Sequence, residues 1–150
     1  MPPGGAGGPG LAQNLLLQVR KEVAGMSEKK ILVVDDDESI RKTFRLLLKK
    51  QYNVLLARDS EEALREYKSL KFDLIIADLR LPRLTGLELI ARFRDLGYRG
   101  EAIVISAHPD CISIDELGRH SIGHFFAKPL DLTVLSRSID YLLQPKEAVA

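Results

Sequence analysis

The side chains best suited to chemistry in this 150-residue chain fall in four places: Asp35, Asp36 and Asp37 together, then Asp78, Ser106 and Lys128, the last followed by Pro129. Each closes a short aliphatic run. Carboxylates gathered at one edge repel one another and raise each other's pKa values unless a cation neutralises them. Mg²⁺ suits that need, because it takes oxygen ligands, keeps several waters and commonly uses one or two carboxylates beside phosphate oxygens. Ser106 adds a hydroxyl that both donates and accepts, and Lys128 adds a positive charge. Singly, each residue has a plainer role. Asp37 reads best as a helix N-cap, Asp35 and Asp36 would pass for a solvated turn, and Ser106 for a hydroxyl satisfying nearby backbone. The joint occurrence at four run ends carries the inference. His108, His120 and His124 share no metal-ligand spacing with Cys111, which argues against zinc.

The elements that must position these groups are legible as alternating patterns. The runs ILVV (31–34), NVLLA (53–57), DLIIA (73–77), AIVIS (102–106) and HFFA (124–127) suit parallel strands, most of them covered on both faces. Helical stripes lie between them: Ile40, Phe44, Leu47 and Leu48; Ala63, Leu64, Tyr67 and Leu70; Leu89, Ile90, Phe93 and Leu96; Leu132, Leu135, Ile139 and Leu142. Thr85 with Glu88 predicts a capping box, Gly97 a helix terminator, and Asp131 an N-cap. The segment from Cys111 to Ser121 is the least regular, with Ile114 and Leu117 suggesting a helix that Gly118 weakens.

Five strand–helix units with short loops predict an α/β fold, a doubly wound parallel sheet with right-handed crossovers. Ligands in such sheets bind beyond the carboxyl ends of the strands, where the winding reverses, and all four chemical positions lie at those ends.

The whole-chain balance narrows the function further. Lys and Arg number 22 against 21 Asp and Glu, so no global field favours nucleic acid or an anionic membrane. The chain is long enough for one domain and an extension. The single Cys111 forms no internal disulfide and no apolar run approaches a membrane span, which makes a reducing cytoplasm the default location and membrane insertion unexpected. Residues 1–10, rich in Gly and Pro, predict a flexible segment. Leu11, Ala12, Leu15, Leu16, Val19 and Val23 predict an amphipathic helix within 11–25, either packed on the domain or used for dimerisation or partner docking. The domain itself is expected at 29–144, with 145–150 as a tail.

The motifs ILVVDDDES, IIADLRLP, IVISA and FFAKP, in this order and spacing, resemble the response-regulator receiver family over about residues 29–144. The resemblance implies a five-stranded flavodoxin-like sheet of order 2-1-3-4-5. It implies that Asp78 accepts a phosphoryl group from a sensor histidine kinase or a histidine phosphotransfer protein. Asp36 would bind Mg²⁺ directly, Asp35 chiefly through metal-bound water, and the main-chain carbonyl of Arg80 would complete the protein's ligands. Lys128 and Ser106 would contact the phosphoryl group. Phe125, three positions before the lysine, would reorient on a surface formed by the fourth helix, fifth strand and fifth helix.

Two other function classes compete with this phosphorylation-controlled binding module, which is expected to stand alone because the sequence ends soon after the last helix. Asp35 and Asp37 also satisfy the DxD pattern of haloacid-dehalogenase-like phosphatases, a reading that leaves Asp78, Ser106 and Lys128 unexplained. A docking module independent of phosphorylation is the other, and the intact acidic, hydroxyl and lysine positions argue against it. Arg80 and His108 stand two positions beyond Asp78 and Ser106, where they would affect attacking water; the bulk of Arg80 is expected to slow loss of the phosphoryl group. Phe125 lacks the hydroxyl a tyrosine would offer.

Overall fold

The computed structural model describes residues 10–17 and 29–145. The predictions made for residues 1–9, 18–25 and 146–150, including Val19 and Val23, lie outside them. Along the main body run β1 (Lys30–Val34), α1 (Glu38–Leu48), β2 (Asn53–Ala57), α2 (Ser60–Tyr67), β3 (Leu74–Asp78), α3 (Gly86–Asp95) and β4 (Glu101–Ser106). A 3-10 turn (Pro109–Cys111), α4 (Ile114–Arg119), β5 (His124–Ala127) and α5 (Leu132–Leu143) complete it. All strands are parallel, in the order β2-β1-β3-β4-β5. The expected doubly wound sheet of order 2-1-3-4-5 is therefore observed.

Alternation along the central strands divides the core into two layers. Leu32, Val34, Ile75, Ala77, Ala102 and Val104 face Ala63 of α2 and Leu89, Ile90 and Phe93 of α3. Ile31, Val33, Leu74, Ile76, Ile103 and Ile105 face Phe44 and Leu48 of α1 and Leu135 and Ile139 of α5. Burial on both faces explains why these strands read as unbroken aliphatic runs rather than as alternating ones.

Helix punctuation follows the sequence closely. Asp37, Asp59 and Asp131 cap α1, α2 and α5, Thr85 and Glu88 form the capping box of α3, and Gly97 adopts φ 98° just past its end. The stripes overran the helix ends. Leu70 lies beyond α2, which stops at Tyr67, and Leu96 is the C-cap of α3; both are exposed, whereas Phe72 two residues on from Leu70 is buried. On α5 the buried row is Leu135, Ile139 and Leu143, with Leu142 only partly covered and Leu132 exposed. Residues 10–17 are helical, and Leu11, Leu15, Leu16 and Leu17 are all exposed. No helix among the described residues is long and apolar enough to cross a membrane.

Candidate functional site

Three central strands deliver the site at their carboxyl ends. β1 runs directly into Asp35, whose N–H still donates to Ala57 O at 3.1 Å as a last rung toward β2. β3 ends on Asp78 itself, paired in register with Ile105, and β4 ends on Ser106, paired with Ala127. Lys128 follows β5, its N–H donating to Ser106 O at 2.8 Å. The four positions expected to meet do meet at one rim of the sheet.

The side chains form a compact ionic group. Lys128 Nζ donates to Asp78 Oδ2 at 2.9 Å and to Asp35 Oδ2 at 3.2 Å. The other oxygens are held by backbone: Asp35 Oδ1 accepts from Asp37 N–H at 2.9 Å and Asp78 Oδ1 from Arg80 N–H at 3.1 Å. Asp35 is fully buried, Asp78 nearly so, and Asp36 is exposed. Burial pushes the Asp35 carboxyl above its usual value, and the neighbouring Asp78 charge adds to that, against the opposing pull of Asp37 N–H and Lys128. For Lys128 burial acts downward, but hydrogen bonds and attraction from Asp78 and Asp35 outweigh it and hold the ammonium above its usual value.

One oxygen from each of Asp35, Asp36 and Asp78 lies within 4.8 Å of the others. An all-oxygen set of three carboxylates, two of them buried, with one cation for the pair, fits a hard divalent ion such as Mg²⁺. Asp37 does not join it. Its side chain accepts from Ser39 N–H and Oγ, each at 2.9 Å, and caps α1 as the sequence suggested. Ser106 is buried and its Oγ accepts from His108 N–H at 2.9 Å, which leaves its own proton to donate. The Arg80 side chain extends to the segment after β4, with Nη2 3.7 Å from Cys111 Sγ. Phe125 is half-buried in β5 against the α2–α3 layer.

Two contributors escaped sequence reading. Gly86, the first residue of α3, packs against the main chain of Asp78: a Cβ there would stand 2.4 Å from Asp78 O, so only glycine allows the loop after β3 to close over the acid. The available signal was a glycine in a first helical turn, where other residues serve better. Arg41 of α1 donates from Nη1 to Asp35 O at 2.7 Å, and nothing in its local sequence marks it.

A doubly wound sheet of this order, with acids, a hydroxyl and a lysine gathered at the carboxyl ends of its strands, defines a flavodoxin-like α/β domain with its ligand site at that edge. The family model described as the response regulator receiver domain matches residues 31–140, and the chain belongs to that family. The transcriptional regulatory protein GlrR of Escherichia coli is 33% identical over 118 residues, covering 76% of this chain and 26% of GlrR. The alkaline phosphatase synthesis transcriptional regulatory protein PhoP of Bacillus subtilis is 31% identical over 125 residues, covering 81% of this chain and 51% of PhoP. The chain thus spans about a quarter to a half of these relatives. Among solved structures, a CheY-like receiver domain protein from Methanospirillum hungatei superposes with TM-score 0.70 at 26% identity, over 78% of this chain and 94% of that one. The response regulator TrrA of Thermotoga maritima, in complex with Mg²⁺-BeF, gives 0.68 at 28% identity, over 77% of this chain and 99% of its own.

Proposed function

We propose that this chain accepts a phosphoryl group on Asp78 from a histidine kinase or a histidine phosphotransfer protein, in a Mg²⁺-dependent reaction, and signals by changing its affinity for another protein. The observation that carries this reading is the ionic group at the sheet rim: three carboxylates within 4.8 Å, with Lys128 bridging two of them. The complex of the related TrrA with Mg²⁺-BeF supports the same chemistry. Residues 29–144 form the receiver unit in this reading, and residues 1–25 are an accessory segment or an upstream extension.

A carboxylate oxygen of Asp78 attacks phosphorus while the bond from phosphorus to the donor's imidazole nitrogen breaks, its electron pair leaving with the nitrogen. Asp35, Asp36, Asp78 and the main-chain carbonyl of Arg80 would hold the cation. Bound Mg²⁺ would neutralise charge on the transferring oxygens. Lys128 supplies a fixed positive charge beside the nucleophile, and its two acidic partners keep it protonated through the physiological range. Ser106 then donates its proton to a phosphoryl oxygen, drawing the loop after β4 toward the rim. Phe125 changes position in response, and the α4–β5–α5 surface is altered. The shift extends only as far as the phosphorylated form gains contacts in one arrangement over the other. The bulk of Arg80 slows the loss of the phosphoryl group to water.

The phosphatase reading needs Asp37 as a second acid, and Asp37 is committed to capping α1. Incubation with Mg²⁺ and acetyl phosphate followed by intact-mass measurement tests the proposal. One phosphate adduct is expected on the wild type, none on Asp78→Asn and none with EDTA. An adduct of equal yield on Asp78→Asn would overturn it.

A further inference from the structure

The β1–α1 loop presents an unusual backbone problem. Pairing of β1 ends at Val34, opposite Ala57 on one side and Ala77 on the other, so the Asp35 carbonyl projects one residue beyond the ladder. Asp35 is fully buried, and a buried carbonyl needs a donor. α1 begins only at Glu38, too late for its own backbone to supply one. The donor is the side chain of Arg41, a half-buried residue in the first turn of α1, whose Nη1 reaches Asp35 O at 2.7 Å.

This bond closes a small frame around the acids. Asp37 N–H holds the Asp35 carboxylate, Asp37 Oδ1 holds the start of α1 through Ser39, and Arg41 returns from that helix to the Asp35 main chain. Asp35 and Asp36 are thereby aimed from one rigid turn rather than from a free strand end. Arg41 meets Asp35 at its main-chain carbonyl, whereas the carboxylate itself is held by Asp37 N–H and Lys128 Nζ.

We propose that Arg41 is a positioning residue for the divalent-cation site, acting through its hydrogen bond to the Asp35 carbonyl. This rests on the Mg²⁺ reading above and deepens it. Groups that orient metal ligands from behind typically change metal affinity by about 10- to 100-fold when removed. Two effects of removing Arg41 have opposite signs. Loss of a nearby cation alone would tighten Mg²⁺ binding, whereas loss of the frame weakens it.

The test is a Mg²⁺ titration by calorimetry on the full chain, well below the melting temperature of each variant. Arg41→Ala is expected to weaken Mg²⁺ by about 10-fold. Arg41→Gln, which keeps a long helix-compatible side chain too short for the carbonyl, is expected to do the same and serves if the alanine variant fails to fold. Arg41→Lys, able to donate to the same oxygen, is expected to stay within about threefold of wild type. Lys42→Ala removes one positive charge from the next position of α1, where it pairs with Glu38 at 3.4 Å, and is expected to leave Mg²⁺ affinity unchanged. Unchanged or tighter binding in Arg41→Ala or Arg41→Gln would overturn the proposal, as would Lys42→Ala losing as much, or Arg41→Lys binding as weakly as Arg41→Ala. A wild type that binds no Mg²⁺ would overturn the proposed function and this inference together; a wild type that binds it while the Arg41 variants match it overturns this inference alone.

Discussion

The two sides of the sheet are assembled by different means. Around β1, β3 and β4, every residue of 31–35, 74–78 and 102–106 is buried, and the acids and hydroxyl sit at the ends of those strands. On the β5 side α4 buries no residue, and Ile114 is 86% exposed. Ile112 and Ile122 on either side of α4 pack against the core only in part, and polar bonds add to them: Arg94 of α3 donates to His120 O at 3.3 Å and Ser121 O at 3.1 Å, and to Gly100 O at 2.7 Å. Packing that buries whole strands resists displacement, whereas a short helix tied by a few hydrogen bonds opens at low cost. The contrast places a fixed charge geometry at the rim and the capacity for rearrangement beside it, which is the division of labour the proposed phosphorylation switch would need.

The largest effect should come from breaking the packed side. Phe44 is 1% exposed between α1 and the strands, and Phe44→Ala is expected to cost about 3–5 kcal/mol in urea unfolding, with the slope unchanged. That is a large share of the ~5–15 kcal/mol available to a domain. A loss below about 1 kcal/mol would deny that this layer carries the fold.

Next comes the cost of the site itself. The folded pKa of Asp35 is raised above its unfolded value, chiefly by burial, so wherever the carboxylate is charged in both states the fold bears a penalty. As pH falls through that raised value, the folded chain takes up a proton before the unfolded chain does, and the penalty is relieved. In EDTA at pH 7.5, Asp35→Asn is therefore expected to raise Tm by a few degrees. The advantage should shrink as pH is lowered through the raised Asp35 value. Saturating Mg²⁺ should remove it, because metal binding stabilises only a chain with its ligands intact. Thermal melts of both proteins across pH, with and without Mg²⁺, check the sign. A wild type that is the more stable of the two in EDTA at pH 7.5 contradicts the account.

Much of the packed side was legible because its signals are local. A buried parallel strand must be aliphatic throughout, and a strand end that carries Asp, Ser or Lys after such a run announces itself. The caps at Asp37, Thr85 and Asp131 were readable for the same reason, since the side chain and the N–H it accepts from lie within three residues. The α2 end was read about one turn too far, at Leu70, and the α3 stripe one residue too far, at the C-cap Leu96, because periodicity continues past the point where the C-cap turns the chain. Arg41 acts through a contact with a main-chain carbonyl that its residue type does not mark, and Gly86 was signalled only as a glycine in a first helical turn. The α4 region was legible mainly as irregular: Ile114 supported a helix there, and the helix forms, but with Ile114 facing solvent.

The smallest effect sharpens the contrast from the other side. Ile114 begins α4, just after the Ser113 cap, whose Oγ accepts from Glu116 N–H at 3.2 Å. Its side chain gains almost nothing from folding, because hydrophobic stabilisation scales with the apolar area removed from water and here most of that area stays in water. Ile114→Ser is therefore expected to change unfolding free energy by no more than about 0.5 kcal/mol, although the same substitution at buried Ile76 would be severe. Amide exchange gives the complementary measurement: α4 amides are expected to exchange by local opening, well before those of β3, in wild type and variant alike. Should Ile114→Ser destabilise the chain as a core substitution does, or should α4 exchange only on global unfolding, the two sides would have to be regarded as one cooperative body, and the proposed division between a fixed site and a yielding surface would fail.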